Sequence, residues 1–360
     1  MRILPGRGSA LSPPEKKVGG VSPDPAVAWA GTILNEKVEA EPLAGDGGGR
    51  RYFRLRGREL VVLSGPDPAE NLAWLRIGRH LWFQGLPLPR IYDYDLDRGF
   101  FLLEDLGDER LADPPDKTDH YPEAARLLAR FHLKGAEGFN PAWGHQTKAY
   151  DARMATEQEI NYYLNSLIAG YLGLGRPSGL GEEARRLGRL AAPGPAERVL
   201  MHRDYQGRNL MLKAGRIHII DWQGARPGPA AYDLASLIEE TPYVPLSEER
   251  KAETVAAYIR ARGTGAWRKT FKRELAILSA VRMMQALGAY GKFVLAGKSK
   301  FESYISPLLR RLAEQMGHPA LAGFPRLRRV TEEALIQTAS EGPCSAAVTA
   351  RPKRPGRGQT

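Results

Sequence analysis

Cysteine is almost missing from this 360-residue chain. Its one thiol, Cys344, lies in a polar stretch near the C-terminus and has no intrachain partner. Disulfides are therefore excluded as a fold device, and a reducing compartment, the cytoplasm, is expected. No uninterrupted apolar run approaches the roughly 18 residues that cross a bilayer, so no membrane partner is expected. The opening stretch MRILPGRGSALSPPEKK lacks an apolar core, so a secretory signal is not expected. The formal charge is +11, of which residues 1–28 carry +2 and residues 341–360 carry +3, leaving +6 for the body. No zinc-knuckle, RNA-motif or helix-turn-helix pattern accompanies that surplus, so nucleic acid is not an expected partner.

What is present is enough for a large core: 42% apolar and 26% charged residues over a length that suits two lobes. Residues 1–28 are rich in Pro, Gly and charge and are expected to be disordered, as is the basic tail 341–360. Between them the pattern is α+β. A small β-rich lobe is expected over 29–106, a larger helical one over 107–340. In the first, the runs Arg51–Arg56 and Glu59–Leu63 alternate like strands. A helix follows Asp67-Pro68, and two more strands lie at Arg90–Tyr94 and Phe100–Leu103. In the second, helical spacing marks 121–134, 157–172, 182–192, 231–240, 247–262, 267–293 and 301–315. No internal repeat is visible.

The chemistry is concentrated in His202-Arg203-Asp204-Tyr205-Gln206-Gly207-Arg208-Asn209, followed by an apolar hairpin and Ile219-Ile220-Asp221. An acid in a loop, an amide five residues on, and a second acid after the next apolar run are what phosphoryl transfer uses in that order. Asp204 is the candidate catalytic residue, set to orient and deprotonate an attacking hydroxyl. Asn209 and Asp221 offer oxygens suited to Mg²⁺, which takes few protein ligands and keeps phosphate oxygens. The turn at Ala214-Gly215 brings the Asn209 and Asp221 ends of the hairpin together. His202 and Arg203 are expected to support the loop. Asp233, at a helix start, either meets the helix dipole, anchors the loop from below, or does both.

The nucleotide would be ATP or GTP, held as its Mg complex. Gly47, Gly48 and Gly49, in the Gly-rich turn, are candidates to cover its phosphates with backbone N–H groups. At Glu104-Asp105-Leu106, the backbone of Glu104 and Leu106 would face the adenine. Two further absences narrow the class. There is no Walker A sequence, which excludes a P-loop mechanism. There is no Lys in the strand Glu59–Leu63, so Arg51 or Arg54 is left to grip phosphates, and a nucleotide-binding pseudokinase stays open. Between Asp221 and Asp233 there is also no room for a long activation segment. A small-molecule acceptor is expected rather than a peptide.

On these residues the chain resembles the aminoglycoside-phosphotransferase family of kinase-like folds, and within it the bacterial anomeric N-acetylmuramate/N-acetylglucosamine kinases. The resemblance covers roughly 38–315. It is carried most by HRDYQGRNLML and IDWQGARPGPAAYDLASL. Arg50–Arg54, Phe101–Gly107, Tyr150-Asp151 with Glu157 or Glu159, and Arg282–Tyr290 carry it more weakly. It implies a protein-kinase-like two-lobe fold with the nucleotide between the lobes. It also implies Asp204 as base, Asn209 and Asp221 as metal ligands, and an amino-sugar acceptor from cell-wall recycling. Aminoglycosides and other amino alcohols are the alternative acceptors. Oligomeric state is left open.

Overall fold

The computed structural model describes residues 24–43, 49–113, 117–192, 194, 198–239 and 245–340. It divides into two compact units, 1–66 with 91–103, and 67–90 with 104–360.

The first unit is built on a five-stranded sheet. Its strands are β1 (Ala40–Leu43), β2 (Arg51–Leu55), β3 (Leu60–Ser64), β4 (Ile91–Asp95) and β5 (Phe100–Glu104), in the order β1-β2-β3-β5-β4. Helix α1 (Pro25–Leu34) covers one face. Its Ala26, Val27, Trp29 and Ala30 pack with Leu55, Val62, Phe100 and Leu102. This corrects the last residues of the expected disordered stretch 1–28, because the chain is helical from Pro25; residues 1–23 and the expected disordered tail 341–360 lie outside the described residues. Asp24 caps the helix by accepting from the Ala26 N–H at 3.0 Å, and Pro25 sits where its missing N–H has no partner to lose. A Pro-rich composition concealed an apolar face of four residues.

The second unit contains helix α2 (Pro68–Phe83), which the lobe boundaries above had assigned to the first. Asp67 caps it through the Ala69 and Glu70 N–H groups. Gly78 of α2 lies flat against Trp222, whose Nε1 donates to the Trp74 carbonyl at 2.8 Å while the two indoles stack at 4.7 Å. The unit continues with α3 (Tyr121–Lys134), a long helix α4 over 152–171, and α5 (Leu180–Ala191). Hairpin β7 (Leu210–Lys213) and β8 (Arg216–Ile219) follows β6 (Val199–Met201), which pairs with β9 (Arg226–Gly228). Helices α6 (Ala230–Ile238), α7 (Glu248–Arg262), α8 (Arg268–Leu295), α9 (Ile305–Met316) and α10 (Pro325–Ser340) complete it.

Most of α4 is π-helical, over Ala155–Ile160 and Tyr163–Tyr171. The wider turn rotates side chains off the 3.6-residue period on which the sequence reading relied.

An added Cβ at Gly78 would lie 2.7 Å from Trp222 Nε1 and 2.8 Å from two of its ring carbons. Gly78→Ala should therefore destabilise by about 1–3 kcal/mol, although the same change in an open helix stabilises by roughly 0.5–1 kcal/mol. Urea unfolding of the variant checks the sign.

Candidate active site

Two short antiparallel pairs set the site. Register Leu210↔Ile219 closes the β7–β8 hairpin, and the next pair outward is Asn209 with Ile220, whose N–H donates to the Asn209 carbonyl at 3.1 Å. Asn209 and Asp221 therefore leave the same end of one hairpin. Asn209 Nδ2 turns back to donate to the Asp204 carbonyl at 2.9 Å, and His202 Nε2 donates to the Ile220 carbonyl at 3.0 Å. The structure thus brings His202, Asp204, Asn209 and Asp221 to one locus.

The donor set suits Mg²⁺. With Nδ2 of Asn209 committed to the loop, Oδ1 is the atom left to bind a cation. Asp221 Oδ1 accepts from Gln223 Nε2 at 2.8 Å, which leaves its other oxygen. Among the described residues no group of three or more His, Cys, Asp or Glu could hold a metal. An amide with one carboxylate, completed by phosphate oxygens and water, matches a hard cation that keeps few protein ligands. Asp221 sits at φ 65°, in the left-handed region that Asp tolerates better than most residues.

Asp233, at the first turn of α6, is wholly buried. Its Oδ2 accepts from the His202 N–H at 2.6 Å and from His132 Nε2 at 3.0 Å, and its Oδ1 accepts from the Arg203 N–H at 2.8 Å. His132 Nδ1 accepts in turn from the Tyr258 hydroxyl at 2.7 Å. Arg203 itself sits at φ 82°, a conformation that strains a residue with a long side chain by about 1–3 kcal/mol. Two charge-assisted bonds from Asp233 on consecutive N–H groups hold it there.

Asp204 stands at the mouth of a cavity of about 180 Å³ with its side chain 37% exposed. Burial raises its carboxyl, but Arg203, Arg282 and Arg208 outweigh that and hold it below the usual carboxylate range. Arg282 Nη2 lies 3.7 Å from Asp204 Oδ1, and its Nε donates to Ser236 Oγ at 2.7 Å. Gln285, Tyr290, Phe293 and Phe301 wall the same cavity, with Tyr290 and Phe301 stacked at 5.7 Å.

The remaining sequence candidates fall in both units. Gly47 and Gly48 lie outside the described residues. Gly49, in the first unit, has φ 79°, which a side chain would strain. Arg51 is bound to Asp24 and reaches Ser64 Oγ at 3.5 Å, and Arg54 lies on the same strand β2. In the second unit Leu106 is buried. Glu104 accepts from Lys213 Nζ at 2.9 Å and from the Arg90 N–H at 3.2 Å. Burial raises the Glu104 carboxyl, yet these bonds keep it below its ordinary value.

Sequence reasoning missed His132, Arg282, Lys213 and Asp24 as partners of site residues. Arg282 had a signal, being a charge between Val281 and Met283 on a stripe of buried residues. Lys213 had none, since its partner Glu104 is 109 positions away.

A family model described as the phosphotransferase enzyme family matches residues 39–270, and the chain belongs to that family. The N-acetylmuramate/N-acetylglucosamine kinase of Pseudomonas aeruginosa is 31% identical over 211 residues, covering 56% of this chain and 60% of that protein's length. The kinase of the same name from Neisseria meningitidis serogroup B is 27% identical over 318 residues, covering 79% of this chain and 90% of that protein. Among solved structures, a choline/ethanolamine kinase family protein from Mesorhizobium loti superposes with a TM-score of 0.55 at 17% identity. It covers 82% of this chain and 92% of its own, a likeness of fold.

Two outcomes follow from Asp233 and His132. Asp233→Ala should lower stability by roughly 3–5 kcal/mol, since it strands a buried imidazole and two loop N–H groups; equilibrium unfolding measures this. Burial pulls the His132 pKa below its ordinary 6.5, against the opposing pull of Asp233. The native protein therefore leaves His132 neutral where the unfolded chain would bind a proton. Stability contributed this way is present above 6.5 and falls as pH drops toward the depressed folded value. Urea titrations from pH 5 to 8 should show that slope, and His132→Gln should flatten it.

Proposed function

We propose that the protein is a cytoplasmic, ATP- and Mg²⁺-dependent kinase that phosphorylates a hydroxyl of an amino sugar of the N-acetylmuramate/N-acetylglucosamine type, a reaction of cell-wall sugar reuse. The observation that supports the reading is that Asn209 is hydrogen-bonded to the Asp204 carbonyl and paired with Ile220, which Asp221 follows, with Asp204 lining a cavity of sugar size. Asp204 is the base: it orients the acceptor hydroxyl and takes its proton as that oxygen bonds to the terminal phosphorus of ATP, the bond from this phosphorus to the bridging oxygen breaks, and ADP leaves. Asn209 and Asp221 would hold the Mg²⁺, which neutralises phosphate charge when bound. Positioning and charge neutralisation supply most of the rate in such transfers.

The cavity supports a sugar. Stacked Tyr290 and Phe301 offer an apolar shelf for the face of a pyranose ring, and Asp204, Ser236, Arg282 and Gln285 offer polar groups for its hydroxyls. The fold alone also fits an amino-alcohol kinase, given the choline/ethanolamine kinase family neighbour. The cavity walls favour the sugar. A cationic acceptor would meet Arg208 and Arg282 there, and its acids are already engaged. Asp204 has Arg282 beside it, and Glu239 has Lys251 at 3.3 Å and Arg311 at 2.9 Å.

The test is a phosphorylation screen with Mg-ATP across N-acetylmuramate, N-acetylglucosamine, aminoglycosides, choline and ethanolamine. Turnover confined to the cationic acceptors overturns the amino-sugar reading. ATP binding without transfer to any acceptor would instead identify a pseudokinase. Asp204→Ala should reduce kcat at least about 10³-fold while calorimetry shows ATP binding retained.

A further inference from the structure

Below the catalytic loop lies a carboxylate that the reaction just described does not use. Glu159, on the π-helical part of α4, is 0% exposed. Its Oε2 accepts from the Tyr232 hydroxyl at 2.7 Å, and its Oε1 has no hydrogen-bond partner. Tyr150 is likewise 0% exposed with an unpartnered hydroxyl, and its ring lies 5.3 Å from that of Tyr232. Glu157, two residues away, shows the contrast: it is exposed and pairs with Arg153 at 3.1 Å.

A buried carboxylate with one bare oxygen is a liability for folding. Burial raises its pKa, with Asp204 adding to the rise and Arg203 and Arg282 opposing it. The first unit of cost is electrostatic; the second is the π-helical backbone that presents it, a geometry found mostly as single turns at functional sites. A side chain kept at that double expense in stability is more economically explained by the reaction than by the fold.

The connections run to the loop. Tyr232, which holds Glu159, immediately precedes Asp233, which holds the His202 and Arg203 N–H groups. The Arg203 guanidinium feels the charges of both Asp204 and Glu159, and its Nη1 donates to Gln146 at 3.2 Å. Gln146 also accepts from Arg226 at 3.1 Å, a buried guanidinium that burial pulls down to about 10.

We propose that Glu159 is a positioning residue for phosphoryl transfer: acting through Tyr232 and the adjoining Asp233, which holds the loop N–H groups, it fixes the Asp204 carboxylate against the acceptor hydroxyl. It touches neither substrate nor metal. The proposal rests on Asp204 being the base, but not on the identity of the acceptor.

The experiment uses the full chain with Mg-ATP and whichever acceptor of the panel above the wild type turns over fastest. Glu159→Gln, Tyr232→Phe and the double variant are compared for kcat, both KM values and Tm. The expected result for Glu159→Gln is a Tm equal to or above that of the wild type, with kcat reduced at least ~10-fold and the KM for ATP unchanged within ~2-fold. Tyr232→Phe should lower kcat to a similar degree, and the double variant should lose little more than either single one, as residues acting in one chain do. Wild-type kcat in Glu159→Gln overturns the proposal. So does a fall in Tm with kcat per folded molecule preserved, which marks a structural carboxylate. Additive losses in the double variant overturn the route through Tyr232. Failure of the amino-sugar reading shows separately, in which acceptors the wild type uses.

Discussion

One carboxylate governs the geometry of this site. Asp233 binds two consecutive N–H groups of the loop that carries Asp204, and also the ring of His132, all in a place closed to water. The loop needs such a clamp because Arg203 is held at positive φ, where a long side chain is strained. Release of that strain would shift the backbone that carries the next residue, Asp204. The clamp is itself braced: His132 is oriented by Tyr258, whose ring stacks on Phe271 of α8 at 5.4 Å. A helix start, two neighbouring helices and a buried imidazole thus combine to place one half-buried acid.

The hairpin does the corresponding work for the metal candidates. Its register puts Asn209 and Ile220 face to face, and the left-handed turn at Asp221 redirects the chain directly after. Both groups then depend on a few backbone hydrogen bonds rather than on long side chains. Asn209 also ties the two halves together, since the same residue that presents an oxygen at the hairpin end donates its amide to the Asp204 carbonyl. A change in hairpin register would therefore disturb Asp204 as well as the two metal candidates.

Much of this was written in the sequence where spacing carries geometry. Helix α3 begins and ends where its apolar period does, and the β7–β8 hairpin follows from Ala214-Gly215 between two apolar runs. The residues of the loop could be named because their order is itself the geometric constraint. Other features were illegible for physical reasons. Most of α4 is π-helical, so a 3.6-residue period could not separate Glu157, which faces solvent, from Glu159, which is wholly buried. Helix α1 hid behind Pro and Gly because its signal is a cap and a short apolar face rather than a long period. The pairing of Glu104 with Lys213 joins positions far apart in the chain, and only folding brings them within 2.9 Å.

The arrangement separates what must stay fixed from what can vary. Asp204 belongs to a loop clamped by Asp233, whereas most of the cavity wall facing it comes from one helix, α8, through Arg282, Gln285, Tyr290 and Phe293. Side chains on α8 can change the shape and charge of the cavity without touching the hydrogen bonds that set the loop. Arg282 is the exception, because it lines the cavity and stands 3.7 Å from Asp204. It also grips Ser236 on α6, the helix that begins with the clamp. A substitution at Tyr290 or Phe293 should therefore act on acceptor choice, whereas one at Arg282 must act on acceptor and chemistry together. The partition follows from which side chains share hydrogen bonds with the loop and which meet it only across the cavity.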